Sequence, residues 1–119
     1  MKYLALIYAP ETEGPAPGTP EFDAYMAQWF AADRDFKEAG VLVGGAALQP
    51  SATATRVQVR SGRTETMDGP FAETKEQLGG YYIFECKDLD EAIRHAARIP
   101  IGEEGTVEVR PLMEIPGMD

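Results

Sequence analysis

The feature that most constrains this fold is the apolar run near the N-terminus. Tyr3-Leu4-Ala5-Leu6-Ile7-Tyr8-Ala9 follows Met1-Lys2 and contains no charged residue. Such a run has no polar face to offer water, so it reads as a strand buried on both sides. It is far short of the ~20 residues a bilayer span needs, and no small-residue cleavage site follows it. The expected location is therefore cytoplasmic, with no membrane partner. Helices in a small domain can cover one side of this strand, but the other side needs a second layer.

The rest of the chain supplies the helices. Pro10 to Pro20 has no periodicity and reads as a loop. Thr19-Pro20-Glu21 is a helix start, with a hydroxyl cap, proline at the first helical position and an acid in the first turn. Phe22, Tyr25, Met26, Trp29, Ala32 and Phe36 recur at helical spacing, and Gly40 closes the helix. Val41 to Ala46 is a short strand whose glycines suggest close backbone approach or a bulge. Arg56 to Arg60 and Thr64 to Met67 flank Ser61-Gly62-Arg63 and read as a hairpin. Gly79 to Cys86 alternates as a strand. Asp88 with Glu91 opens a second helix in a capping-box pattern, and Leu89, Ala92, Ile93, Ala96 and Ala97 form its expected buried face. Thr106 to Glu114 is the last strand, with Pro111 placing it near an edge.

This order predicts an α+β domain over residues 1–115 with a short tail, 116–119. Its expected architecture is ferredoxin-like, a split βαβ repeat with an inserted β-hairpin. The uncovered sheet face predicts a homodimer packed sheet to sheet, since a second copy is the simplest cover.

Charge limits the function classes. Twenty acids against eleven bases leave −9 at pH 7. A direct nucleic-acid contact would need a basic footprint, and an anionic membrane would repel this chain. The single cysteine, Cys86, excludes an internal disulfide and reads as a core residue. The single histidine, His95, reads as a helical residue favoured by the C-terminal dipole rather than as a general base. No metal-ligand spacing, phosphate loop or nucleophile elbow is present, so neither a metal nor an organic cofactor is expected.

The densest polar segment is Asp68-Gly69-Pro70-Phe71-Ala72-Glu73-Thr74-Lys75-Glu76. Asp68 suits an Asx turn, Pro70 fixes the exit, and Phe71 is an apolar plug. The segment reads either as a turn with solvated charges or as a ligand rim where the hairpin rejoins the sheet. Glu108 and Arg110 alternate with two valines and so share a sheet face, where they form either a structural ion pair or a ligand clamp.

These residues resemble the YCII-related family, in the branch named for its Asp-Gly-Pro-Phe motif. The likeness is carried by Asp68 to Glu76, Gly79-Gly80-Tyr81-Tyr82, Leu89-Asp90-Glu91-Ala92, and Gly105 to Pro111, with further likeness at Met1-Lys2-Tyr3 and Gly40 to Pro50. The resemblance implies a dimeric α/β barrel and an association with extracytoplasmic-function sigma factors. The His-Asp dyad proposed for the wider family does not carry over, because Tyr25, Met26 and Gln28 stand in the first helix and no histidine does.

Two functions follow as expectations. The first is a regulatory or ligand-binding module taking a small molecule, with Tyr8, Trp29, Phe71, Lys75, Tyr82, Glu108 and Arg110 lining the pocket. The alternative is a small lyase, isomerase or hydrolase working without metal. There Asp68 and Glu73 would be the catalytic carboxylates and Arg110 the oxyanion clamp.

Overall fold

The apolar run forms β1 (Lys2–Ala9), and it lies inside a sheet. In the computed structural model, residues 1–12, 14–69 and 76–118 are described. After β1 come α1 (Pro20–Glu38), β2 (Leu42–Ala47), β3 (Thr55–Arg60), β4 (Arg63–Asp68), β5 (Gln77–Glu85), α2 (Leu89–Ala96) and β6 (Thr106–Pro111). The main sheet has the order β2-β5-β1-β6, and every neighbouring pair is antiparallel. This is a mixed α+β fold, compatible with a ferredoxin-like arrangement. β3 and β4 form a separate two-stranded antiparallel sheet.

The helix ends follow their sequence signals. The Thr19 hydroxyl accepts the Phe22 amide at 3.2 Å, with Pro20 first in the helix. Gly40 terminates α1 at φ +72°, a conformation other residues adopt only with strain. At α2 the Asp88 carboxylate accepts the Glu91 amide at 2.9 Å. The Glu91 carboxylate reaches back to the Lys87 amide at 3.1 Å, one residue earlier than in an ordinary capping box.

Both helices cover the same sheet face. Tyr3, Ala5 and Ile7 of β1, Phe84 of β5, Ala32 and Phe36 of α1, and Ala92 and Ala96 of α2 form one buried cluster with Val41, Cys86 and Ile99. Phe36 and Phe84 are the largest fully buried side chains, their rings edge to face at 4.9 Å. Burying each contributes ~1.5–3 kcal/mol. Arg98, just past α2, bonds to Asp35 of α1 and ties the two helices together.

The buried stripe of α2 keeps Ala92 and Ala96 of the expected face and departs from it elsewhere. Leu89 and Ile93 are exposed by 47% and 49%, and Ala97 is also exposed. The stripe runs instead through Ala92, His95, Ala96 and Ile99. Ala92 and Ala96 belong to both sets; the face turns from Leu89 and Ile93 toward His95 and Ile99, which is equally helical in spacing. In α1 burial is confined to Ala32 and Phe36, while Phe22, Met26 and Trp29 are half-buried.

Two glycines are required by backbone approach. A Cβ on Gly45 would lie 2.6 Å from the Tyr81 carbonyl, and one on Gly80 would lie 2.8 Å from that of Ala46. The register irregularity falls between Leu42 and Gly44, so the Gly44-Gly45 signal marks both a bulge and a close approach. The loop after β1 is fastened by Glu11, whose carboxylate accepts the amide and hydroxyl of Ser51 at 2.8 and 2.9 Å.

Candidate functional site

Strand alternation divides the sequence-predicted site between the two faces of the main sheet. Tyr82 faces the helices. Its ring stacks on Phe84 at 5.6 Å and meets Phe36 edge to face at 5.3 Å. Trp29 of α1 packs against the same cluster. Burial, with the Asp33 carboxylate second, pushes the Tyr82 phenol above its ordinary range. Asp33 is paired with Lys37 one turn on, at 2.8 Å.

His95 belongs to this helix-side group. Its ring lies 6.1 Å from both Phe36 and Phe84. Its Nδ1 is buried and has no hydrogen-bond partner among the described residues. The signal for this placement was in the sequence: His95 stands three residues after Ala92 and four before Ile99, on the stripe α2 buries. Asp33, Tyr82 and His95 thus bring three ionisable groups around one aromatic cluster.

The opposite face is lined by a different set. Leu4 pairs with Ile83 and Arg110, and Leu6 with Tyr81 and Glu108. Leu4, Leu6, Tyr81 and Ile83 are half-buried, although neither helix lies on that side. Tyr8 follows Leu4 and Leu6 by alternation. Arg110 Nε approaches Glu108 Oε2 at 3.2 Å, with the side chains 69% and 48% exposed. An ion pair this open adds at most ~1 kcal/mol to the isolated chain.

Asp68 ends β4, away from both groups. It is exposed, and its carboxylate accepts the Thr55 hydroxyl at 3.3 Å across the hairpin. The Gly69 amide donates to the Ala54 carbonyl at 2.7 Å. Phe71, Glu73 and Lys75 lie outside the described residues, as does the amide that would close an Asx turn beyond Pro70. Glu76, at the end of the same motif, accepts the Thr106 hydroxyl at 2.9 Å and so joins the motif to the start of β6.

An open groove of about 530 Å3 runs between α2 and the edge strand β6. Ile93, Ala96, Ile99, Ile101, Val107 and Val109 line it, and none of the predicted site residues does. Among the described residues no three His, Cys, Asp or Glu side chains are grouped to hold a metal ion. No helix among them is long and apolar enough to cross a membrane.

The YCII-related domain matches residues 1–116, all but the last three of the chain. The chain belongs to the YCII-related family. It is also 40% identical over 114 residues to an uncharacterized protein of Rhizobium meliloti (strain 1021), a match covering 94% of this chain and 92% of the relative. The domain boundary of the family and the end of β6 agree, since Pro111 closes the last strand only a few residues earlier.

Proposed function

We propose that this YCII-related protein is a cytoplasmic homodimeric module that binds a small polar molecule carrying an anionic group. The reading rests on one observation: four half-buried apolar side chains, Leu4, Leu6, Tyr81 and Ile83, line a sheet face that neither helix covers among the described residues. Packing two such faces would remove them from water and close the barrel implied by the family resemblance. Glu108, Arg110 and Tyr8 stand on the same face. A second sheet opposite them would exclude water from the Arg110 guanidinium and strengthen its hold on a carboxylate or phosphate.

The Asp-Gly-Pro-Phe motif supports placing the protein in the branch associated with sigma factors. The module would then act by protein contact, because a net charge of −9 opposes direct contact with nucleic acid. The enzymatic alternative asks for a carboxylate of raised pKa, and the exposed position of Asp68 supports it less well than binding.

The test is a thermal-shift screen of wild type and Arg110→Ala against small organic carboxylates and phosphates. A ligand at 100 times its Kd stabilises the folded state by ~2.7 kcal/mol, a rise of several degrees for a domain of this size. The reading expects a shift in wild type that Arg110→Ala loses. No shift across the panel, or one that survives in the variant, would overturn it.

A further inference from the structure

The charged end of the open sheet face stands on an edge strand. Among the described residues β6 pairs with β1 alone, so no strand flanks it on its outer side. Glu108 and Arg110 are two residues apart there, roughly 6.5–7 Å along the strand, and share one face. Their side chains converge, with Arg110 Nε 3.2 Å from Glu108 Oε2. On the inner side, register places Leu6 beside Glu108 and Leu4 beside Arg110. Tyr81 and Ile83 of β5 follow Leu6 and Leu4, so the pair is bordered inward by apolar side chains.

Their mutual contact leaves most of the pair's bonding capacity unused. A guanidinium carries five N–H donors and a carboxylate about four acceptor sites. Among the described residues neither side chain has another polar partner, and both are exposed. The contact through Nε engages one edge of the guanidinium. The two Nη groups of its other edge match a carboxylate bidentately. The remaining acceptor sites of Glu108 suit a hydrogen-bond donor, and a cationic donor most of all.

The surrounding charge decides between a simple anion and a zwitterion. Glu76 reaches β6 through the Thr106 hydroxyl, two residues before Glu108. Two carboxylates thus stand along this strand beside one guanidinium. The chain as a whole carries −9, which repels an anion and is indifferent to a neutral zwitterion. A lone carboxylate on Arg110 meets Glu108 as a like charge, whereas an ammonium next to that carboxylate answers Glu108. Because Glu108 and Arg110 already touch, the ligand's two charges have to be adjacent as well, as they are on the α-carbon of an amino acid.

We propose that Glu108 and Arg110 are a recognition pair for an α-amino acid with an apolar side chain. Arg110 takes the carboxylate, Glu108 the ammonium, and Leu4 and Leu6 the side chain. The proposal rests on the anion-binding reading of the preceding section and narrows its ligand class. The test titrates wild type, Glu108→Gln and Arg110→Ala by isothermal calorimetry with two matched sets. One is leucine, isocaproate and isoamylamine; the other is phenylalanine, hydrocinnamate and phenethylamine. Both substituted positions are exposed, so the fold is preserved. In at least one set the amino acid should bind ~tenfold tighter than the compound lacking either charge. Glu108→Gln should lower it to the affinity of its carboxylate, and Arg110→Ala to that of its amine. A carboxylate as tight as its amino acid, or an amino-acid preference that survives Glu108→Gln, would overturn the pair while leaving the anion reading standing. Silence of both sets, with other carboxylates or phosphates still bound through Arg110, would do the same. Amino-acid binding unmoved by Arg110→Ala, or no binding of any carboxylate or phosphate, would overturn both.

Discussion

The two faces of the main sheet are built from alternate residues of the same strands, yet they are finished to different degrees. On the helix side Ala5 and Phe84 are wholly buried. Their neighbours Leu4 and Ile83 point the other way and retain partial exposure. A strand as apolar as β1 is needed only if both faces are to be dry. The covered face accounts for the folded chain, and the proposed dimer would account for the open one.

This contrast is broken most forcefully at adjacent positions of β5. Phe84→Ala should lower unfolding stability by ~3–5 kcal/mol, because it empties the centre of the only large aromatic cluster among the described residues. Ile83→Ala, measured at concentrations too low for association, should lose well under half as much. Equal losses in urea titrations would mean that the two faces do not differ in the single chain.

The glycines offer a sharper pair. Gly80→Ala pushes a methyl to 2.8 Å from a backbone oxygen, so the β2–β5 pairing must shift, at ~1–3 kcal/mol. Gly79→Ala meets nothing closer than 3.9 Å and should fall within ~0.5 kcal/mol of wild type. The same denaturation series reads both. At the edge of the covered face, Asp88→Ala removes the α2 cap and should cost ~1 kcal/mol, visible as a lower thermal midpoint.

The smallest effect is alkaline. Burial, reinforced by Glu91, pushes the Cys86 thiol from 9.0 up to about 11. A thiol raised in the folded state is ionised earlier in the unfolded chain, so its contribution is intact below pH 9 and is lost as pH rises through about 11. Tyr82, raised by burial and Asp33, acts in the same direction above pH 10. Stability measured from pH 8 to 11 should fall, and Cys86→Ala should flatten the part of that fall beginning at pH 9. An unchanged slope in the variant would assign the loss elsewhere.

Local signals were the most legible part of this sequence. Thr19, Gly40 and Asp88 mark helix ends because a cap is decided by one residue and its immediate backbone. The strand periods gave the elements of the sheet, and Gly44-Gly45 marked a bulge or close approach in β2. The rotation of α2 was harder, because around Ala92 and Ala96 a helical stripe is completed as well by His95 and Ile99 as by Leu89, Ile93 and Ala97. Only the tertiary contacts choose between them.

The site was less legible for a related reason. Alternation within β6 puts Glu108 and Arg110 on one face, but nothing local says that Tyr82 of β5 lies on the other. That depends on register between strands far apart in the chain. His95 was passed over because a lone histidine near a helix end has an adequate local explanation. Its neighbours, Phe36 and Phe84, come from other elements.

The central claim is that the open face is completed by a second copy. Sedimentation equilibrium at micromolar concentration tests it most directly, on wild type and Leu6→Glu, which places a charge at the middle of that face. The account predicts twice the 13.0 kDa chain mass for wild type and a folded species of 13.0 kDa for the variant, with unchanged far-ultraviolet circular dichroism. A wild-type mass of 13.0 kDa, or a Leu6→Glu dimer as tight as wild type, would contradict it.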